Sequence, residues 1–358
     1  MSFLKSIDLT TRLIRDGKLT QALAVLGGAM PKAGSQILPG AKPLFDGATL
    51  RATLEAGLGA LLQPGAAPTA EAAPSPSAEG ASFTEQTYAG PSGSLSYKLY
   101  RPASAGPAPL PLVVMLHGCT QSPDDFATGT RMNALAEREG VFVAYPAQSR
   151  AANAQKCWNW FRAVDQGRSG EPALVVGMVQ AILATHAVDP ARVYVAGLSA
   201  GGAAAAVLGQ TYPEVFAAVG VHSGLACRAA ADMGSAFAAM RGGAPVQPTG
   251  TGIPTIVLHG DRDMTVAPIN GAQVLTQAEP SEALTEAVST ATAPGGQRYT
   301  RTVLADASGR PQAEHWVLHG AGHAWSGGDP AGTYTDPRGP DASAAMLRFF
   351  ERHAGPRP

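Results

Sequence analysis

Short apolar runs alternate with amphipathic stretches along most of this 358-residue chain. Phe83–Tyr88 and Leu95–Tyr100 read as strands of an antiparallel lead-in. Val113–Leu116, Val141–Ala144, Val193–Ala196, Ala217–Val221, Thr255–Leu258 and Trp316–Leu318 are unbroken apolar runs, as strands buried on both faces require. Helical periodicity falls between them, near 125–139, 171–186, 200–211, 268–277 and 341–353. Residues 297–304 and 314–318, joined through the turn-forming Asp306–Arg310, read as a hairpin. This order predicts an α/β fold: a mostly parallel central sheet with helices on both faces.

The pattern changes toward the N-terminus. Residues 1–62 are helical in character, with Ser6–Gly17 and Leu19–Leu26 reading as two short amphipathic helices. They predict a helical arm, with contact to a partner or polymer surface as the functional alternative. Residues 63–82 are rich in Pro, Ala, Gly and Ser and predict a flexible linker that builds no core. Residues 83–358 carry the alternating pattern and form one catalytic-sized domain.

Composition narrows the functional classes. The chain is 45% hydrophobic, 15% charged and carries a formal net charge of −1. It shows no basic stripe for nucleic acid and no apolar run of transmembrane length. Its three Cys and eight His lack tight paired spacing, so neither a metal nor a cofactor is expected.

The chemistry concentrates at Gly197-Leu-Ser-Ala-Gly201, between the Val193–Ala196 strand and an Ala-rich helix. A serine held in a tight strand-to-helix turn between glycines has an exposed Oγ, which makes Ser199 a candidate nucleophile. It needs a base within reach and an acid to orient that base. The Thr255–Leu258 strand ends in a loop with Asp261 and Asp263, and either carboxylate could be the acid. Of the eight His, His323 stands past the Trp316–Leu318 strand in a Gly-rich loop, whereas His315 and His319 belong to the strand region. The order serine, acid, histidine is then met. A developing oxyanion needs two N–H donors: that of Ala200, and one from the loop after the Val113–Leu116 strand, Cys119 or Thr120.

Trp158, Trp160 and Trp325, three of the four Trp, fall in loops expected at the carboxyl ends of the strands. They are candidates for an apolar substrate platform, with loop packing as the alternative. His222-Ser223 also points toward the site, without an assigned role. The loops of Cys119 and Cys157 are both expected at the rim, as a disulfide leaving Cys227 free or as unpaired thiols.

Five blocks together resemble the polyhydroxybutyrate depolymerase-like esterases, relatives of acetylxylan and feruloyl esterases within the α/β-hydrolase superfamily. They are LHGCTQ at 116–121, YPAQ at 145–148 with CWNWF at 157–161, GLSAGG at 197–202, HGDRDMTV at 259–266 and GAGHAWSGG at 320–328. The resemblance spans about 83–352 and implies Ser199 as nucleophile, Asp263 as acid and His323 as base. It implies an α/β-hydrolase that cleaves short-chain or polyhydroxyalkanoate-type esters through an acyl-enzyme. The alternatives are a feruloyl or acetylxylan esterase acting on plant polysaccharide, and a binding module on an inactive scaffold. The resemblance also leans extracellular, whereas the charged N-terminus shows no ordinary signal peptide and leans cytoplasmic. No adsorption domain follows the last helix, so weak action on crystalline polymer is expected. Oligomeric state is not legible.

Overall fold

The computed structural model describes residues 79–279 and 283–355. The expected arm, and the linker up to residue 78, lie outside the described residues. Ser82–Gly90 (β1) and Gly93–Arg101 (β2) form the antiparallel lead-in, and Leu110–Leu116 (β3) begins the alternating part. Pro123–Thr130 (α1), Met132–Glu139 (α2), Phe142–Pro146 (β4), Gly170–Thr185 (α3), Val188–Leu198 (β5) and Ala200–Thr211 (α4) follow. Then come Ala218–His222 (β6), Met233–Gly242 (α5), Thr255–Gly260 (β7) and Ile269–Ala278 (α6). Thr285–Thr292 (β8), Arg298–Ala305 (β9), Pro311–Leu318 (β10), the short Trp325–Ser326 (β11) and Thr335–Asp336 (β12), and Ala342–Phe350 (α7) complete the α-helices and strands among the described residues.

Ten strands form one sheet in the order β1-β2-β4-β3-β5-β6-β7-β10-β9-β8. The six from β4 to β10 run parallel, and both edges are antiparallel. The apolar runs divide between the two faces by alternation. Leu112, Val114, Val193 and Val195 pack under α3 and α4, while Val113, Met115, Tyr194 and Ala196 pack with α2 and α7.

The strand order places the site. From β3 the chain steps one way to β4 and then returns to the other side of β3 as β5. That reversal opens a crevice beyond the carboxyl ends of β3 and β5. The loop after β3 and the Ser199 turn after β5 therefore meet there, with the loops after β6, β7 and β10 following along the same rim.

Two helices replace the single one expected at 125–139. Arg131 adopts φ 53°, ending α1 and opening α2, and its guanidinium donates to the Gly327 carbonyl. Helix α5 and strand β8 were not read from the sequence. Asp232 and Ser235 form a capping box at the start of α5. Every residue of β8 is exposed, so it carries no hydrophobic alternation.

Candidate active site

Ser199 sits at φ 57° and ψ −119°, a strained conformation for a residue with a side chain, at the junction of β5 and α4. Its N–H donates to the His222 carbonyl at 2.9 Å, tying the turn to the end of β6. The flanking glycines are obligatory. A Cβ on Gly201 would lie 2.0 Å from the Leu116 carbonyl oxygen, and one on Gly197 would lie 2.4 Å from the Gly201 backbone. The serine is thus pressed against the end of β3, with the N-terminus of α4 and its positive dipole end directly behind it.

The two carboxylates after β7 have separate partners. Asp263 is buried and accepts from the Thr265 and Val266 N–H groups through Oδ1, while Oδ2 lies 2.7 Å from Nδ1 of His323. Burial alone would raise its pKa. The His323 hydrogen bond and the neighbouring imidazoles of His323 and His259 outweigh burial and hold the carboxyl below the usual range. Asp261 instead braces the turn after β10, accepting from the Gly320 N–H at 2.7 Å and pairing with His319 Nδ1 at 3.0 Å. With Nδ1 of His323 directed at Asp263, its Nε2 is the nitrogen left to act as a base.

The loop after β3 is suspended from both sides. His117 Nε2 accepts the Gln148 N–H at 3.1 Å, so its Nδ1–H donates to the Gly118 carbonyl at 2.7 Å. Burial lowers the His117 pKa to about 4, which keeps the ring neutral in that tautomer. Gln148 in turn donates to half-buried Glu171, which also accepts from the Asn159 backbone. On the other side Gln121 accepts the Gly118 N–H at 2.8 Å and donates to Asp125 and the Thr333 carbonyl. Cys119 and Cys157 form a disulfide with Cα atoms 4.2 Å apart, and Cys227 is buried and unbridged. Thr120, at φ 68°, donates its N–H to the Gln155 carbonyl at 2.6 Å. That N–H is therefore spoken for, whereas the Cys119 N–H has no backbone acceptor among the described residues.

The tryptophan platform is not borne out by the packing. Trp158, Trp160 and Trp325 are 1%, 5% and 1% exposed, so none offers a face to a ligand. Trp158 and Trp160 join the core under α3, and Trp325 lies between His222 and an edge contact from Phe126. Loop residues this large are drawn into the core because their apolar area outweighs their loop position. The exposed apolar side chains at the rim are different ones. Met264, next to Asp263, is 93% exposed and Tyr334 is 43% exposed. Tyr334 holds φ 52° and brings its Oη to 3.3 Å from Thr120 Oγ1. Gln121 and Gln148 stand inside the LHGCTQ and YPAQ blocks without a role of their own, and Glu171 and Tyr334 escape sequence reading because a lone acid in a first helical turn and a lone loop aromatic carry no pattern.

The family model described as esterase PHB depolymerase matches residues 95–299, and the chain belongs to that family. It is 35% identical over 250 residues to poly(3-hydroxyalkanoate) depolymerase C of Paucimonas lemoignei, covering 65% of this chain and 58% of that protein. It is 36% identical over 117 residues to feruloyl esterase B of Neurospora crassa, covering 32% of this chain and 39% of that protein. The chain therefore spans little more than half the length of the first relative and less of the second. Among solved structures, an acetyl xylan esterase from Aspergillus awamori superposes with a TM-score of 0.57 at 19% identity, covering 76% of this chain and 99% of that one. The fold is that of the α/β-hydrolases. No helix among the described residues is long and apolar enough to cross a membrane.

Proposed function

We propose that this chain is a serine carboxylic-ester hydrolase that works through an acyl-enzyme, with Ser199, Asp263 and His323 as its triad. The observation that carries the reading is the Asp263–His323 hydrogen bond at the ends of β7 and β10, on the same rim as the strained Ser199 turn. Ser199 Oγ attacks the ester carbonyl as His323 Nε2 takes its proton. The imidazolium, stabilised by Asp263, then returns that proton to the leaving alkoxide. The N–H groups of Ala200 and Cys119 receive the tetrahedral oxyanion, each worth roughly 3 kcal/mol of barrier. Water repeats the cycle to release the acid.

The substrate class is short-chain or polyhydroxyalkanoate-type esters, supported by the depolymerase relative from Paucimonas lemoignei. The feruloyl esterase relative favours aromatic acyl esters as the second reading. The Cys119–Cys157 bridge supports an oxidising, extracellular setting.

A panel run side by side tests this: p-nitrophenyl butyrate, hydroxybutyrate oligomers, methyl ferulate and acetylated xylan. The expected result is turnover of the first two, at least about tenfold faster than the others in kcat/KM, with Ser199→Ala inactive. Preference for ferulate or acetylxylan establishes the second reading. No turnover of any ester leaves only an inactive scaffold.

A further inference from the structure

His222 ends β6, between the strand that leads to Ser199 and the strand that leads to Asp263. Its backbone carbonyl accepts the Ser199 N–H at 2.9 Å. Its ring faces the other way, and Nε2 accepts the Ser326 N–H at 3.1 Å. Ser326 lies three residues past His323, in the short strand β11 that follows its loop. The ring also stacks on Trp325, with centroids 5.2 Å apart and planes at 27°. Nδ1 lies 3.2 Å from Ser223 Oγ. One residue thus fastens the nucleophile turn through its main chain and the base loop through its side chain. It is fully buried and reaches no solvent or substrate.

The chemistry of the ring suits that task. A backbone N–H can only donate, so Nε2 must carry a lone pair and Nδ1 the proton, which Ser223 Oγ accepts. A protonated ring would offer Ser326 a second donor and break the contact. Burial, reinforced by the nearby imidazoles of His259 and His323 and opposed by Asp263, lowers the His222 pKa to about 3 and keeps the acceptor present. Besides that acceptor, the Trp325 stack and the Tyr334 carbonyl, which takes the Trp325 N–H, pin this stretch of the loop.

We infer that His222 is a positioning residue: it sets the height of the His323 loop relative to Ser199 by presenting a neutral Nε2 acceptor to Ser326. The inference rests on the esterase reading for its kinetic arm alone. Asn places its carbonyl near the Nδ1 position, too short to reach Ser326, whereas Gln can place its carbonyl where Nε2 stands.

The test compares His222→Gln, His222→Asn and His222→Phe with wild type. The Asn and Phe variants should lose about tenfold to a hundredfold in kcat on p-nitrophenyl butyrate with KM little changed, since only alignment is lost. The Gln variant should retain most of kcat. In proton NMR, the downfield resonance of the Nδ1 proton shared by His323 and Asp263 should persist in wild type and Gln, and broaden or shift in Asn and Phe. This second arm needs no turnover, so it stands even if no ester is cleaved. If Phe fails to fold, the Gln–Asn pair decides. Wild-type kcat and an unshifted resonance in Asn, or a folded Gln variant no better than Asn, would overturn the inference.

Discussion

Asp263 Oδ2 and His323 Nδ1 share a 2.7 Å hydrogen bond, while Asp261, two residues earlier, is engaged by His319 and the Gly320 N–H. The two carboxylates are therefore not interchangeable. Asp263→Asn should lower kcat by about 10⁴, because an amide favours the wrong imidazole tautomer. Asp261→Asn should cost only a small factor in rate. Steady-state kinetics of the two variants checks this, and the reverse ranking would assign the acid to Asp261.

The close approach of α4 to β3 predicts a steric contrast. Gly201→Ala drives a methyl to 2.0 Å from the Leu116 carbonyl, whereas a Cβ on Gly322 meets nothing within 4 Å. Gly201→Ala should destabilise by about 3 kcal/mol or more in urea unfolding, and Gly322→Ala by well under 1 kcal/mol.

The Cys119–Cys157 bridge joins residues separated by 38 positions in the sequence and holds the segment carrying the Cys119 N–H. Replacing both cysteines by alanine should cost about 4 kcal/mol of stability on the chain-entropy account. Turnover should fall as well, with little change in KM, since the proposed oxyanion donor loses an anchor. Denaturant unfolding and kinetics of the double variant, against wild type with and without reductant, measure both effects.

Five buried histidines set the acid limit, and burial lowers the pKa of each, His259 included. Burial above all depresses His117 and His353 to about 4, and His222 and His315 to about 3. Each is neutral in both folded and unfolded chains above pH ~6.5, the ordinary histidine value, so none costs stability there. Below that pH the unfolded chain binds protons that the folded chain refuses. Stability should therefore be highest above pH ~6.5 and fall between there and pH ~3–4, by up to ~1.4 kcal/mol per pH unit for each histidine. Urea titrations at stepped pH read the slope directly. A flat profile from pH 7 to pH 4 would contradict the burial of these rings.

Parallel strands were legible because burial on both faces forces unbroken runs such as Val113–Leu116 and Val193–Ala196. Ser199 and His323 were legible as candidates because each stands just past such a run, where topology gathers loop residues, whereas position alone left the acid open between Asp261 and Asp263 and the resemblance favoured Asp263. What failed was whatever depends on packing across loops. Trp158, Trp160 and Trp325 were open between a substrate platform and loop packing, and their enclosure favours the packing. Strand β8 has no buried side and therefore no pattern. Arg131 breaks a helix through a left-handed φ although the residues on either side of it, Thr130 and Met132, are neither Gly nor Pro. His222 carried its signal only as a strand-end position, and its partner Ser326 lies 104 residues away.

The central claim, that Ser199 becomes acylated, is tested most directly by covalent capture. The protein is treated with a p-nitrophenyl phosphonate, the released nitrophenol is counted, and the modified peptide is located by mass spectrometry. The account predicts one nitrophenol per chain, a single adduct on Ser199, loss of ester hydrolysis in step with labelling, and no adduct in Ser199→Ala. An adduct on another residue accompanied by loss of activity, or full ester turnover by Ser199→Ala, would contradict it.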